Sequence, residues 1–183
     1  MKRLNESCGA VCWITGLSGA GKSTLAAKVV LSLKERGLSP ILLDGDDLRS
    51  VLGVPSSDFS RQERLRLAFV YADLCRYLSS QGVIVVIATI ALFAEIHEWN
   101  RENLPNYYEV FMDVPLSVLK DRDPKGIYER FSKGEIRNVA GLDFEVDFPS
   151  NPDFEIGIED TNRQETVREI VEKFLEFQVD SIK

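Results

Sequence analysis

Short, continuous apolar runs alternate along this chain with longer stretches in which apolar positions recur three or four residues apart. The first pattern predicts buried strands and the second predicts amphipathic helices. Val11 to Thr15 form the first run, which leads into a cluster of glycines. From Lys22 to Arg36 the residues Leu25, Val29, Val30 and Leu33 fall on one helical stripe, and Gly37 stands in the C-cap position. Pro40 to Leu43 is too short for a helix and reads as a second strand. It delivers Asp44, Gly45, Asp46 and Asp47 at its C-terminal end, and one or two helical turns over Leu48 to Leu52 precede Gly53 and Pro55. Ser60 caps a long helix running to about Ser80, with Leu65, Phe69, Ala72, Leu74 and Leu78 on its buried side, and Gly82 stops it.

Val83 to Ala88 is the most apolar run, the signature of a central parallel strand covered on both faces. A helix over Leu92 to Glu102, a strand near Tyr108 to Met112 and a helix opened by Pro115 at its first turn follow. Residues 122–151 break the alternation. Pro124, Gly126, Gly134, Gly141 and Pro149 lie there among scattered charges, which reads as a mobile lid. Ile156 to Ile158 predicts a last short strand. Arg163 to Phe177 predicts a closing helix with Val167, Ile170, Val171, Phe174 and Leu175 on its apolar side. Strands alternating with helices predict a three-layer, doubly wound α/β fold on a parallel sheet, with ligands at the C-terminal ends of the strands. With no repeat, linker or low-complexity segment, the 183 residues read as one domain.

Composition narrows the ligand class. Apolar residues make up 44% and charged residues 28%, ordinary for a globular protein. The net charge of −7 excludes a broad nucleic-acid face, so anionic ligands must be held by local clusters of cations and backbone N–H groups. Cys8, Cys12 and Cys75 show no metal spacing and read as reduced thiols, Cys12 and Cys75 as small buried hydrophobes. With His97 the only histidine, zinc is not expected. Residues 1–7 lack an apolar signal core and no stretch reaches membrane-spanning length, so a cytoplasmic protein with no membrane partner is expected.

Candidate chemistry starts at Gly16-Leu17-Ser18-Gly19-Ala20-Gly21-Lys22-Ser23-Thr24, which spells G-x-x-x-x-G-K-[ST] between a strand and a helix. In that context the glycines let successive N–H groups face one anion. Lys22 adds a charge for the β- and γ-phosphates, and Ser23 places a hydroxyl where Mg²⁺ sits. The helix opening at Lys22 aims its positive end at the same phosphates. The motif predicts a P-loop nucleoside triphosphatase fold that binds a nucleoside triphosphate with Mg²⁺. Asp44 and Asp46 end the neighbouring strand, where carboxylates either organise metal-bound water or take a proton from an attacking hydroxyl. Asp46 is the first choice as catalytic group and metal neighbour, with Asp44 in support.

Arg49 and Arg64 lie near this edge, and either has the fork geometry to clamp an anionic substrate, although arginines of this kind also serve as solvated surface charges. Arg61 and Arg66 are weaker candidates, since helical spacing cannot point all three arginines into one cleft. The segment Arg122-Asp123-Pro124-Lys125-Gly126-Ile127-Tyr128-Glu129-Arg130 sets cations beside glycine. Such a segment either neutralises phosphate charge on closure or forms a solvated face. His97 reads as a core or surface histidine rather than a general base.

The P-loop, Leu43-Asp44-Gly45-Asp46-Asp47-Leu48-Arg49 and Arg122-Asp123-Pro124-Lys125-Gly126-Ile127-Tyr128 together resemble the adenylyl-sulfate kinases. The likeness is collinear from residue 11 to about 156, continuing through Gly134-Glu135-Ile136 and Pro149 to Pro152. It implies transfer of the γ-phosphoryl group of ATP to the ribose 3′-hydroxyl of adenosine 5′-phosphosulfate, with Mg²⁺. It also implies Asp46 as base, Arg49 and Arg64 as substrate contacts, Lys125 as a lid residue reaching the phosphates, and a homodimer. Thr89 and Gly126 complete the expected substrate wall.

Departures from the family pattern fall on the acceptor side. Leu65-Arg66-Leu67-Ala68-Phe69-Val70 replaces an Asn and paired arginines, and Thr89-Ile90-Ala91 replaces Ile-Ser-Pro. Val139-Ala140-Gly141-Leu142 replaces a Phe-Thr-Gly-Ile whose ring stacks on adenine. Ala88 to Phe93 and His97-Glu98-Trp99-Asn100 resemble a divergent branch that includes cytidine diphosphoramidate kinases of bacterial capsule loci. That branch is the alternative acceptor reading, with unchanged chemistry on a different base and 5′-group. A guanine-nucleotide switch is disfavoured because Asp123-Pro124-Lys125-Gly126 does not directly follow a strand and Asn-Lys-x-Asp is missing. A degenerate nucleotide-binding module is the third class.

Overall fold

Burial decides which apolar runs become interior strands. All seven residues of β1 (Ala10–Gly16) and all six of β4 (Tyr107–Met112) are buried. Strands covered on both faces are mostly apolar, so both read as near-continuous runs, interrupted by the buried Thr15 in β1 and the buried Glu109 in β4. The structure, a computed structural model, describes residues 9–54, 60–160 and 164–180, with the backbone alone for the last three. Residues 1–7, Cys8, Pro55 and Arg163, singled out above, lie outside the described residues.

Among the described residues, β2 (Ile41–Asp44), β3 (Ile84–Ala88) and β5 (Phe154–Ile156) complete one parallel sheet in the order β2-β3-β1-β4-β5. α1 (Lys22–Glu35) packs with α7 (Gln164–Asp180), and α3 (Arg61–Ser79) packs with α4 (Ala94–Asn103). The connection from β1 runs to one side of the sheet and that from β3 to the other, so right-handed crossovers place α1 and α4 on opposite faces. The ligand crevice of such a sheet opens where the connections diverge, at the ends of β1 and β3. Register sets that edge: Ala88 pairs with both Ile14 and Asp44. The P-loop, the Asp44–Asp46 turn and Thr89 therefore leave the sheet side by side.

Several boundaries shift from expectation. α2 (Gly45–Val51) starts three residues before the predicted Leu48, because the Asp44 side chain caps it by accepting from the Asp46 N–H. Pro115 stands as the N-cap of α5 (Leu116–Arg122), just before its first turn. The expected lid carries one helix, α6 (Ile127–Ser132), and a bridge between Ala140 and Phe144. β5 lies two residues before the predicted 156–158, in register with Val110 to Met112.

The buried face of α3 differs from the predicted stripe. Leu67, Ala68, Tyr71, Ala72, Cys75 and Ser79 are buried, whereas Leu65, Phe69, Leu74 and Leu78 are half-buried. α3 packs on the sheet on one side and against α4 on another, so it carries apolar residues on two sides, and Phe69 meets Trp99 of α4 edge-on. The longest apolar spacing marks the flank, not the sheet face. Cys12 and Cys75 are buried and free, and burial pushes the Cys12 thiol up to about 12 and the Cys75 thiol upward.

At the start of α3 the expected cap is a reciprocal pair. Ser60 Oγ accepts from the Glu63 N–H at 3.3 Å, and Glu63 Oε2 accepts from the Ser60 N–H at 3.0 Å. Ser60→Ala removes one of the two and is expected to lower stability by about 1 kcal/mol, read by denaturant unfolding.

Candidate active site

The sheet edge builds the site from the P-loop outward. Gly16 ends β1 at φ 146°, and an added Cβ would meet the Met112 carbonyl oxygen at 2.8 Å, so the strand cannot turn there with a side chain. Gly21 caps α1 at φ 99° with no side-chain hydrogen bond, leaving the first-turn N–H groups of a 14-residue helix open to an anion. Ser18, Gly19, Gly21, Lys22, Ser23 and Thr24 line a cavity of about 190 Å³. Gly16, Leu17 and Ala20 are largely buried behind it.

Lys22 Nζ donates to the Leu17 carbonyl at 2.7 Å. Desolvation by the surrounding protein, reinforced by Lys125 and Arg49 and opposed by Asp44, brings its pKa down to about 7. A phosphate anion favours the charged form, so binding ATP raises that pKa and takes up a proton. Uptake is therefore expected to grow from about pH 6 to about pH 8 while ATP affinity falls. Calorimetry in buffers of different ionisation enthalpy reads this directly; proton release on binding contradicts it.

The two aspartates divide. Ser23 Oγ donates to Asp44 Oδ2 at 2.5 Å, and Asp44 Oδ1 accepts from the Asp46 N–H at 2.8 Å. Asp46, the second residue of α2, pairs with Lys125 from the lid and Arg49 from its own helix. The expectation grouped Ser23 with Asp46 at a metal; the carboxylate beside Ser23 is Asp44, because Asp44 ends the strand. Hydroxyl and carboxylate oxygens of this kind suit a hard cation that keeps most of its shell as water and phosphate, and among the described residues no cluster of three His, Cys, Asp or Glu competes for one.

A second, larger cavity of about 650 Å³ adjoins the first. Arg49 and Arg64 line it, as do Thr89 and Val139. Ser18, Asp46, Arg49, Thr89, Ile90 and Lys125 line both cavities and form the seam between them. Arg61 is instead engaged with Glu95 at 3.0 Å and Asp147 at 3.3 Å, and Arg66 is exposed. Gly126 lines neither cavity: at φ 61° it forms the turn that opens α6 and places Lys125 before it.

His97 lies elsewhere. It is buried, with Nδ1 2.7 Å from Glu109 Oε1 and Nε2 3.0 Å from the Asp147 carbonyl, and so ties α4 to β4 and to the end of the lid. Glu109 also accepts from Tyr107 Oη at 2.9 Å. Phe93, the last residue of the Ala88–Phe93 stretch, lines the larger cavity, as do Tyr71 and Phe144, which the sequence reading does not name. A Phe five residues after the missing aromatic at Val139 is the local signal that points to Phe144.

Residues 8–157 match the family model described as Adenylylsulphate kinase. The chain belongs to that family. Adenylyl-sulphate kinases are phosphotransferases with an alcohol acceptor, and membership implies ATP, a divalent metal and small-molecule nucleotide substrates. The chain is 42% identical over 151 residues to an adenylyl-sulfate kinase of Pseudomonas aeruginosa, covering 80% of this chain and 76% of that one. It is 40% identical over 139 residues to a cytidine diphosphoramidate kinase of Campylobacter jejuni, covering 76% and 81%. The structure of a Mycobacterium tuberculosis APS kinase in complex with AMPPNP and APS superposes with a TM-score of 0.77 at 33% identity, covering 95% of this chain and 97% of that one. No helix among the described residues is long and apolar enough to cross a membrane.

Proposed function

We propose that the chain transfers the γ-phosphoryl group of ATP to the ribose 3′-hydroxyl of a nucleotide bound in the larger cavity, the adenylyl-sulfate kinase reaction on adenosine 5′-phosphosulfate. The observation that carries the reading is the shared seam. A donor in the P-loop cavity and a hydroxyl in the larger one meet at Asp46, between Lys125 and Arg49. ATP supplies the phosphoryl group, and Mg²⁺ supplies neutralising charge on it.

The protein's part is positioning and electrostatics. Lys22 and the open N–H groups of α1 hold the donor phosphates. Ser23 and Asp44 would hold the metal's water. Asp46 accepts the hydroxyl proton, while Arg49 and Arg64 hold the acceptor. Lys125 leaves Asp46 for the phosphates as they enter, since the added negative charge competes for its ammonium. A homodimer, suggested by family likeness, is the proposed assembly.

Val139 favours a second acceptor. A valine in the cavity wall gives adenine no aromatic face, and one relative at 40% identity is a cytidine diphosphoramidate kinase. Turnover of adenosine 5′-phosphosulfate and cytidine diphosphoramidate with equal Mg²⁺-ATP separates the readings. Preference of tenfold or more, in kcat/KM, for either one assigns the acceptor, since a site built for one base and 5′-group rejects the other by about that much or more. ATP hydrolysis with transfer to neither sinks both.

A further inference from the structure

The cavity walls give the two arginines different places. Arg49 stands on the seam beside Asp46, whereas Arg64 lines only the larger cavity. The Arg64 guanidinium donates to the Asn138 carbonyl at 2.8 Å and sits over the Phe144 ring, 5.3 Å from its centroid. Phe144 is 7% exposed and meets the Phe93 ring edge-on, centroids 6.0 Å apart at 88°. The turn that carries the ring is pinned. The Asp143 carboxylate accepts from the N–H groups of Asn138 at 2.9 Å and Val139 at 2.7 Å, and the Gly141 N–H donates to the Phe144 carbonyl at 2.9 Å.

A guanidinium anchored to a carbonyl and seated on a ring is poorly placed to swing to the seam. It keeps a delocalised plane on which bases stack. Val139, on the same wall, offers none. Resting on the reading that this cavity takes a nucleotide acceptor, we propose that Arg64, backed by Phe144, is the platform for the acceptor's nucleobase. Phe144 is the positioning residue, and Arg49 is left to the 5′-anion. The ring lost at Val139 is thus replaced from the other end of the same turn, by a cation–aromatic stack instead of a bare aromatic face.

The test isolates the base from the rest of the ligand. The protein is saturated with AMPPNP and Mg²⁺ to fill the donor cavity, then titrated calorimetrically with adenosine 5′-monophosphate, cytidine 5′-monophosphate and ribose 5-phosphate. At least one nucleotide is expected to bind about tenfold or more tightly than ribose 5-phosphate, the size of one base stack. Phe144→Ala and Phe144→Leu should remove most of that margin while holding ribose 5-phosphate affinity within about twofold, and Phe144→Tyr should keep it. Phe144→Leu retains apolar bulk under the guanidinium, so it separates the ring from simple filling if Phe144→Ala melts early.

No margin in the unaltered protein overturns the platform, as does equal weakening of all three ligands by Phe144→Leu. Transfer assays fail or succeed separately. A ring-dependent margin without transfer refutes the kinase reading of the cavity and leaves the platform standing, whereas transfer without the margin does the reverse.

Discussion

Lys22→Ala is expected to reduce phosphoryl transfer to the limit of detection, a loss of about 10²–10³-fold or more. The ammonium lies at the foot of the P-loop cavity, already desolvated and hydrogen-bonded to Leu17. A charge placed in that setting needs no reorganisation when the phosphates arrive, so its removal costs the transition state more than an exposed lysine would. The fold has little reason to suffer, since the variant deletes a partly buried charge whose surroundings already disfavour it. Unchanged thermal melting with lost transfer is the predicted pair of results. Near-normal transfer would refute the assignment of the P-loop as donor site.

Asp46→Asn is expected to lower kcat by on the order of 10²-fold or more while leaving ATP binding near its starting value. The amide keeps the shape but loses the basic oxygen at the seam and the charge that Lys125 and Arg49 meet. Phosphoryl transfer passes through a loose transition state, so the base acts late and its loss appears in turnover more than in donor affinity. Asp44→Asn is the informative companion. Because Asp44 touches Ser23 and caps α2, its loss should raise the Mg²⁺ requirement rather than abolish proton transfer. Unchanged turnover in Asp46→Asn with a collapse in Asp44→Asn would move the base to Asp44.

How legible this site was depended on how local its determinants are. The P-loop and the Asp44–Asp46 turn each sit within a few residues and follow a strand, so composition and spacing were enough to place them on one edge. Helical spacing keeps the three arginines from sharing one cleft but does not choose between Arg61 and Arg64, three residues apart on one face; Arg64 alone of the three lines the larger cavity. Assigning each aspartate its neighbour was not possible, because that depends on where β2 stops and α2 starts, a boundary three residues from the expected one. The α3 stripe is hard to read for a related reason: a helix packed on two sides has no single apolar face. His97 and Glu109 are twelve residues apart and Arg64 and Asn138 seventy-four, so both pairings come from the fold and not from any motif.

Transfer across the seam is read from the position of the transferred phosphate. The unaltered chain is incubated with Mg²⁺, ATP labelled in its γ-phosphate, and adenosine 5′-phosphosulfate or cytidine diphosphoramidate, and the product is resolved by phosphorus NMR. Label on the acceptor's ribose 3′-oxygen, in stoichiometric step with ADP, is the predicted result. ADP released with the label in free phosphate, or on any other acceptor oxygen, would contradict transfer across the seam at Asp46.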